Sequence, residues 1–128
     1  MKTLYVSFLV IFLYSCSSNN DTVDNCLEFK PTGMITVEPN LDTENVPNDF
    51  EVLFPVTNGC GEFDSFKQTT EGNVTTIEVI AKYQGCICTQ EIRLLKSIYN
   101  FSQTTPGIYN LKFKMSDDTY TTKTVIIE

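Results

Sequence analysis

Four cysteines, Cys26, Cys60, Cys86 and Cys88, carry most of the chemistry open to this chain, and the last two sit one residue apart in Tyr83-Gln84-Gly85-Cys86-Ile87-Cys88-Thr89-Gln90. As thiolates, Cys86 and Cys88 could hold a soft metal together with Cys60 and Met115, because thiolate and thioether sulfur suit Cu(I). As a dithiol they could exchange disulfides, but a reactive thiolate needs positive charge beside it. Only Lys82 and Arg93 stand close in sequence. As half-cystines they would staple the fold. On a strand, residues two apart share a face with Cα atoms roughly 6.5–7 Å apart, whereas a disulfide needs about 4.4–6.8 Å and converging Cβ vectors. Cys86 and Cys88 are therefore read as two separate half-bridges, one to Cys26 and one to Cys60, with both orders open.

Other catalytic constellations are thin. The chain has no histidine, which removes Ser-His-Asp and Cys-His arrangements, most neutral-pH general bases and the commonest borderline metal ligand. Glu62 with Asp64 and Asp117 with Asp118 are close carboxylate pairs, better explained by turns and solvated faces. Neither pair has calcium-loop spacing, and there is no glycine-rich phosphate loop. The expectation is no enzyme, no cofactor and no metal.

The N-terminus supplies an address. Lys2 precedes an apolar run from Leu4 to Leu13, too short for a spanning helix of about 20 residues and laid out as a secretory signal. Its end, Leu13-Tyr14-Ser15-Cys16, resembles the lipobox of bacterial lipoproteins, with Tyr14 departing from the small or polar residue usual there. The resemblance implies that residues 1–15 are removed and that Cys16 carries a diacylglycerol thioether and an N-acyl chain, enough for stable membrane attachment. Removal leaves 113 of the 128 residues, one domain's worth, with 8 basic against 16 acidic side chains once Lys2 is gone. A net charge of −8 argues against nucleic-acid binding and against attraction to anionic headgroups. With Cys16 assigned to lipid, four cysteines remain in an exported chain, a number that favours two disulfides.

Residues 16–25, from Cys16 through Ser17 to Asn25, read as a lipidated flexible tether. Within it Asp21-Thr22-Val23 resembles the O-glycosylation acceptor site of Bacteroidota, which implies a glycan on Thr22. The domain proper is placed at 26–128. Ile35 and Val37 begin a first short strand, and Asp42 to Asp49 is a loop. Phe50, Val52, Phe54 and Val56 share one face of a second strand, with Pro55 placing that end at a sheet edge. Phe63 and Phe66 add apolar mass before a break at Glu71-Gly72-Asn73. Ile77, Val79, Ala81 and Tyr83 then alternate against Thr76, Glu78 and Lys82. A hairpin turn at Gln84-Gly85 would pair Tyr83 with Cys86, Ala81 with Cys88, Val79 with Gln90 and Ile77 with Ile92. A single strand bulged at Gly85 is the competing arrangement. Ile98-Tyr99-Asn100-Phe101, a strand with Tyr109, Leu111, Phe113 and Met115 on its apolar face, and a β-branched strand over Tyr120 to Glu128 complete about seven strands in about 100 residues.

Pro106-Gly107-Ile108-Tyr109-Asn110-Leu111-Lys112-Phe113, followed by one last strand, resembles the penultimate strand of immunoglobulin-like sandwiches. There the tyrosine makes a corner by bonding its hydroxyl back to backbone. This chain lacks Trp and carries Leu111 where antibody domains have a cysteine. The resemblance implies an all-β fold: an immunoglobulin-like antiparallel β-sandwich of about seven strands, stapled by disulfides. With the lipobox, Asn58-Gly59-Cys60-Gly61 and the Cys86-Ile87-Cys88 segment also look like small lipoproteins of Bacteroidota. The function expected is a binding or structural module of the cell envelope. It would be held at the outer membrane through Cys16, without nucleic acid, and with an envelope protein or a glycan as partner. The alternative is an envelope thiol-redox or copper-binding protein using Cys86 and Cys88.

Overall fold

The computed structural model describes residues 26–41 and 48–128. The signal peptide, Cys16, the tether with Thr22, and residues 42–47 of the expected loop lie outside them. Eight strands follow in order: β1 (Leu27–Thr32), β2 (Thr36–Pro39), β3 (Asp49–Val56), β4 (Gly61–Glu71), β5 (Val74–Gln84), β6 (Arg93–Asn100), β7 (Gly107–Lys114) and β8 (Tyr120–Ile127). They form a five-stranded and a three-stranded sheet. Among the described residues no helix is long and apolar enough to cross a membrane.

The eleven-residue β5 is the spine of the larger sheet. Along one edge it pairs over its whole length with β4, Glu71 facing Val74 across a two-residue turn. Gly72 has φ +60° at the first turn position, the pattern of a type II′ hairpin. β5's other edge is shared. β1 takes its C-terminal half antiparallel, Thr32 opposite Val79 to Leu27 opposite Gln84. β7 takes its N-terminal half in parallel, Val74 opposite Asn110 to Ile77 opposite Phe113. β8 then pairs with β7. This parallel pair is the departure from the expected antiparallel arrangement. β1 and β7 meet end to end at Glu78, whose carboxylate binds Lys114 Nζ at 3.1 Å. The close passage of Gly33 past Met115 and Ser116, where a Cβ would come within 2.4 Å of backbone, seals the junction.

The smaller sheet runs β2-β3-β6. β2 reaches only Leu53 of β3, so Pro55 sits where β3 has no partner on that side, as a residue without an N–H requires. Inward faces follow the alternation closely. Phe50, Val52, Phe54 and Val56 meet Ile77, Val79 and Ala81 of β5 and Leu111 and Phe113 of β7 in one buried core. A chain of rings crosses it: Phe54, Phe63, Phe66, Tyr99, Phe113 and Phe50, with successive centroids 4.9–5.9 Å apart.

Three expectations fail, each for a physical reason. The hairpin at Gln84-Gly85 does not form, because at residues 79–84 both edges of β5 are already occupied by β4 and β1. Cys86 to Ile92 contains no strand, and Ile92 is exposed rather than paired with Ile77. The true hairpin partner, β4, is hidden from a period-two reading by a register shift between Phe63 and Ser65. The extra residue there, Asp64, brings Phe63 and Phe66 to the same face although they are three apart. Finally, Met34 and Val37 rather than Ile35 and Val37 point inward, since β2 begins only at Thr36.

Candidate functional site

β5 is about 33–37 Å long at the usual rise per strand residue, and the two ends it separates have different chemistry. At its C-terminal end the four cysteines form two bridges, Cys26 to Cys86 and Cys60 to Cys88, with Cα–Cα distances of 5.0 and 5.5 Å. Cys86 and Cys88 are thus separate half-bridges, on an irregular segment rather than on one strand face. The segment turns at Gly85, φ +139°, where a Cβ would stand 2.9 Å from Cys60 Sγ; glycine alone fits both demands.

Backbone hydrogen bonds complete this stapled end. Gly85 N–H donates to Cys26 O at 2.9 Å and Gly59 N–H to Thr89 O at 2.8 Å. Arg93 Nη2 donates to Gly59 O and Gly61 O at 3.2 and 2.7 Å. Its guanidinium therefore buckles the Cys60 turn to β6 instead of activating a thiolate. Tyr83, nearly buried, accepts from Thr57 N–H at 3.1 Å. With all four cysteines bonded, the sulfur ligands of the copper arrangement are occupied, and Met115 stands beside Met34 on a bridge away from Cys60. No group of three His, Cys, Asp or Glu able to hold a metal occurs among the described residues.

The carboxylate pairs prove structural. Asp64 is the bulge residue and accepts from Ser65 Oγ. Asp117 caps the β7–β8 turn by accepting from the Thr119 hydroxyl and N–H, bonds that hold its carboxyl below the usual range. Neighbouring Asp118 takes the left-handed conformation, φ 63°, that closes the turn.

At the N-terminal end of β5 a recess of about 210 Å³ opens between the β4–β5 hairpin and the segment joining β6 to β7. Its lining includes Gln68, Thr70, Tyr99, Asn100, Phe101 and Gln103, and none of its lining residues is charged. Tyr99 is the floor: its ring is buried and its hydroxyl donates to Gln68 Oε1 at 2.7 Å. Burial pushes its pKa up to about 12, since desolvation disfavours the phenolate, so the hydroxyl stays a neutral donor. Gln103 Oε1 accepts from Thr104 and Thr105 N–H at 3.0 and 3.3 Å. Tyr109 makes the expected corner, its hydroxyl donating to Thr105 O at 2.7 Å, and stacks at a tilt on Phe101 with centroids 5.4 Å apart.

Sequence reasoning located the four bridged cysteines and the Tyr109 corner but missed this recess, while Cys16 and Thr22 lie outside the described residues. The recess residues come from the β4–β5 hairpin, β6, the β6–β7 segment and β7, and only those from Tyr99 to Tyr109 share a feature in the sequence, a run without charge. Residues 50–127, which span β3 to β8, match a family model described as the ORF11 beta-sandwich domain. No curated protein and no solved structure significantly matches the chain.

Proposed function

Because the chain belongs to the ORF11 β-sandwich domain family, a scaffold that does not by itself specify an activity, we propose a function from its two ends: a lipid-anchored binding module of the cell envelope. In this reading Cys16 carries the lipid, the mature chain sits at the outer membrane of a Bacteroidota-type envelope, and the recess beside Tyr99 takes the ligand. The observation that carries the reading is the uncharged recess itself, on a protein with 25 charged residues. A wall of amides and hydroxyls beside the half-buried Phe101 ring suits a neutral, hydroxyl-rich group, which favours a glycan over a protein partner. The volume is below the roughly 300 Å³ of drug-sized pockets, so one sugar ring or chain end is the natural occupant.

No catalytic step is assigned. The histidine-free sequence and the turn-bound carboxylates support a binding role, and the paired cysteines favour it over the thiol or copper alternative.

Two experiments test the proposal. Cys16→Ala should move the protein from the detergent phase to the aqueous phase; unchanged partitioning would remove the anchor. Titrating the mature chain with neutral envelope oligosaccharides should shift the side-chain amide NMR signals of Gln68, Asn100 and Gln103. Shifts elsewhere, or none, would remove the recess from the proposal.

A further inference from the structure

The stapled end carries an exposed apolar tip. Ile87, held between Cys86 and Cys88, is 96% exposed, Ile92 is 76% exposed and Leu27, next to Cys26, is 44% exposed. Single exposed apolar residues are ordinary, but here three gather where the domain is most tightly cross-linked. Each neighbour of Ile87 is bonded to a different strand or strand end, Cys86 to Cys26 and Cys88 to Cys60. Burying Ile87 against another surface would therefore order little additional backbone.

The tether enters at the same place. Cys26 lies ten residues after Cys16, and ten residues of any chain span at most about 36 Å. An anchor at Cys16 thus keeps the stapled end within reach of the bilayer, and the recess lies at the opposite end of β5. The acids at this end are matched by bases: Glu28 with Lys30 at 3.0 Å, Glu91 near Arg93 at 3.9 Å, and Glu62 opposite Lys82 across the β4–β5 ladder.

We propose that the stapled end docks on the anchoring bilayer, with Ile87 inserted into its zwitterionic interface and the recess facing away. The inference rests on the reading of Cys16 as the lipid site. Its partner is the membrane surface itself, and the docked domain presents the Tyr99 recess in one orientation rather than tumbling on its tether.

The chain contains no tryptophan, so a single introduced one reports its own surroundings. Mature acylated protein in phosphatidylcholine vesicles would carry either Ile87→Trp or Ile126→Trp. Ile126 is 65% exposed on β8, at the recess end. The expected result is blue-shifted emission, quenched by brominated acyl chains, for Ile87→Trp and a water-like, unquenched spectrum for Ile126→Trp. Vesicle-bound protein with an unquenched tryptophan at position 87 overturns the docking while leaving the anchor intact. A blue shift without bromine quenching means contact with a second copy, and also overturns it. Protein that carries no acyl mass and does not float with vesicles refutes the anchor, and the docking falls with it.

Discussion

At one end of β5 disulfides cross-link the chain, and at the other hydrogen bonds and ring packing hold it without a cross-link among the described residues. The stapled end gathers six-residue β1, the Cys60 turn and the strandless segment after Gly85, pieces too short or irregular to hold one another by ladder pairing. The recess end is framed by the full-length β4–β5 hairpin and by the tyrosine corner of Tyr109. It needs no cross-link. The contrast teaches where a sandwich of this size spends its disulfides: where edge strands end and the described chain begins, rather than around the Tyr99 recess.

The largest test of that contrast is to cut one staple at a time. In the chain-entropy picture, bridges separated by 60 and 28 residues each contribute roughly 4 kcal/mol, the longer by about 0.7 kcal/mol more. Cys86→Ser should therefore destabilise slightly more than Cys88→Ser in denaturant unfolding, freeing the Cys26 thiol in the first case and Cys60 in the second. Hydrogen exchange should open residues 26–32 and 85–92 while the recess stays protected. Equal opening at both ends would mean that the two regions are not independent.

At the recess end, Tyr109→Phe removes one hydrogen bond to Thr105 O and should lower stability by about 0.5–1.5 kcal/mol, well below either staple. A loss as large as a bridge would erase the contrast. Tyr99 sharpens it by pH. Its folded pKa, raised by burial to about 12, lies above the ordinary tyrosine value of 10.0, so the unfolded chain releases this proton first. The associated stability is complete below pH 10 and is lost as pH rises from 10 to 12. Tyr99→Phe should flatten that fall; an unchanged slope would place the titration elsewhere. The smallest effect concerns Thr22, where Thr22→Ala in the native host should lose a glycan mass without changing the unfolding midpoint. An intact mass differing only by the substitution rejects the modification.

Much of this fold is legible as alternation. The inward faces of β3, β5 and β7 follow from Phe50 to Val56, Ile77 to Tyr83 and Tyr109 to Phe113, because a strand that buries one face must repeat every second residue. The Tyr109 corner follows instead from the resemblance of Pro106 to Phe113 to the penultimate strand of immunoglobulin-like sandwiches. Where the period breaks, the pattern fails: Asp64 inserts a bulge that conceals β4. In β1 Leu27 and Phe29 do alternate with Glu28 and Lys30, but the run is only six residues long and that face stays exposed, so no core-facing stripe marks it. The recess was illegible because its residues approach only when β4, β5 and the β6–β7 segment are assembled.

By itself the sequence determined the absence of histidine side chains and suggested that the cysteines from Cys26 onward divide into two bridges that do not join Cys86 to Cys88, as they do. That division holds although its geometric premise, a strand at Cys86 to Cys88, does not, since the segment after Gln84 is irregular. Only the tertiary structure decided that Cys86 reaches Cys26 and Cys88 reaches Cys60. The order depends on β1 lying along β5 so that Leu27 meets Gln84, and on the Cys60 turn lying on the opposite edge, where Gly61 meets Tyr83. Edge sharing of that kind is a contest among distant segments for the same N–H and C=O groups, and no local pattern records which segment wins.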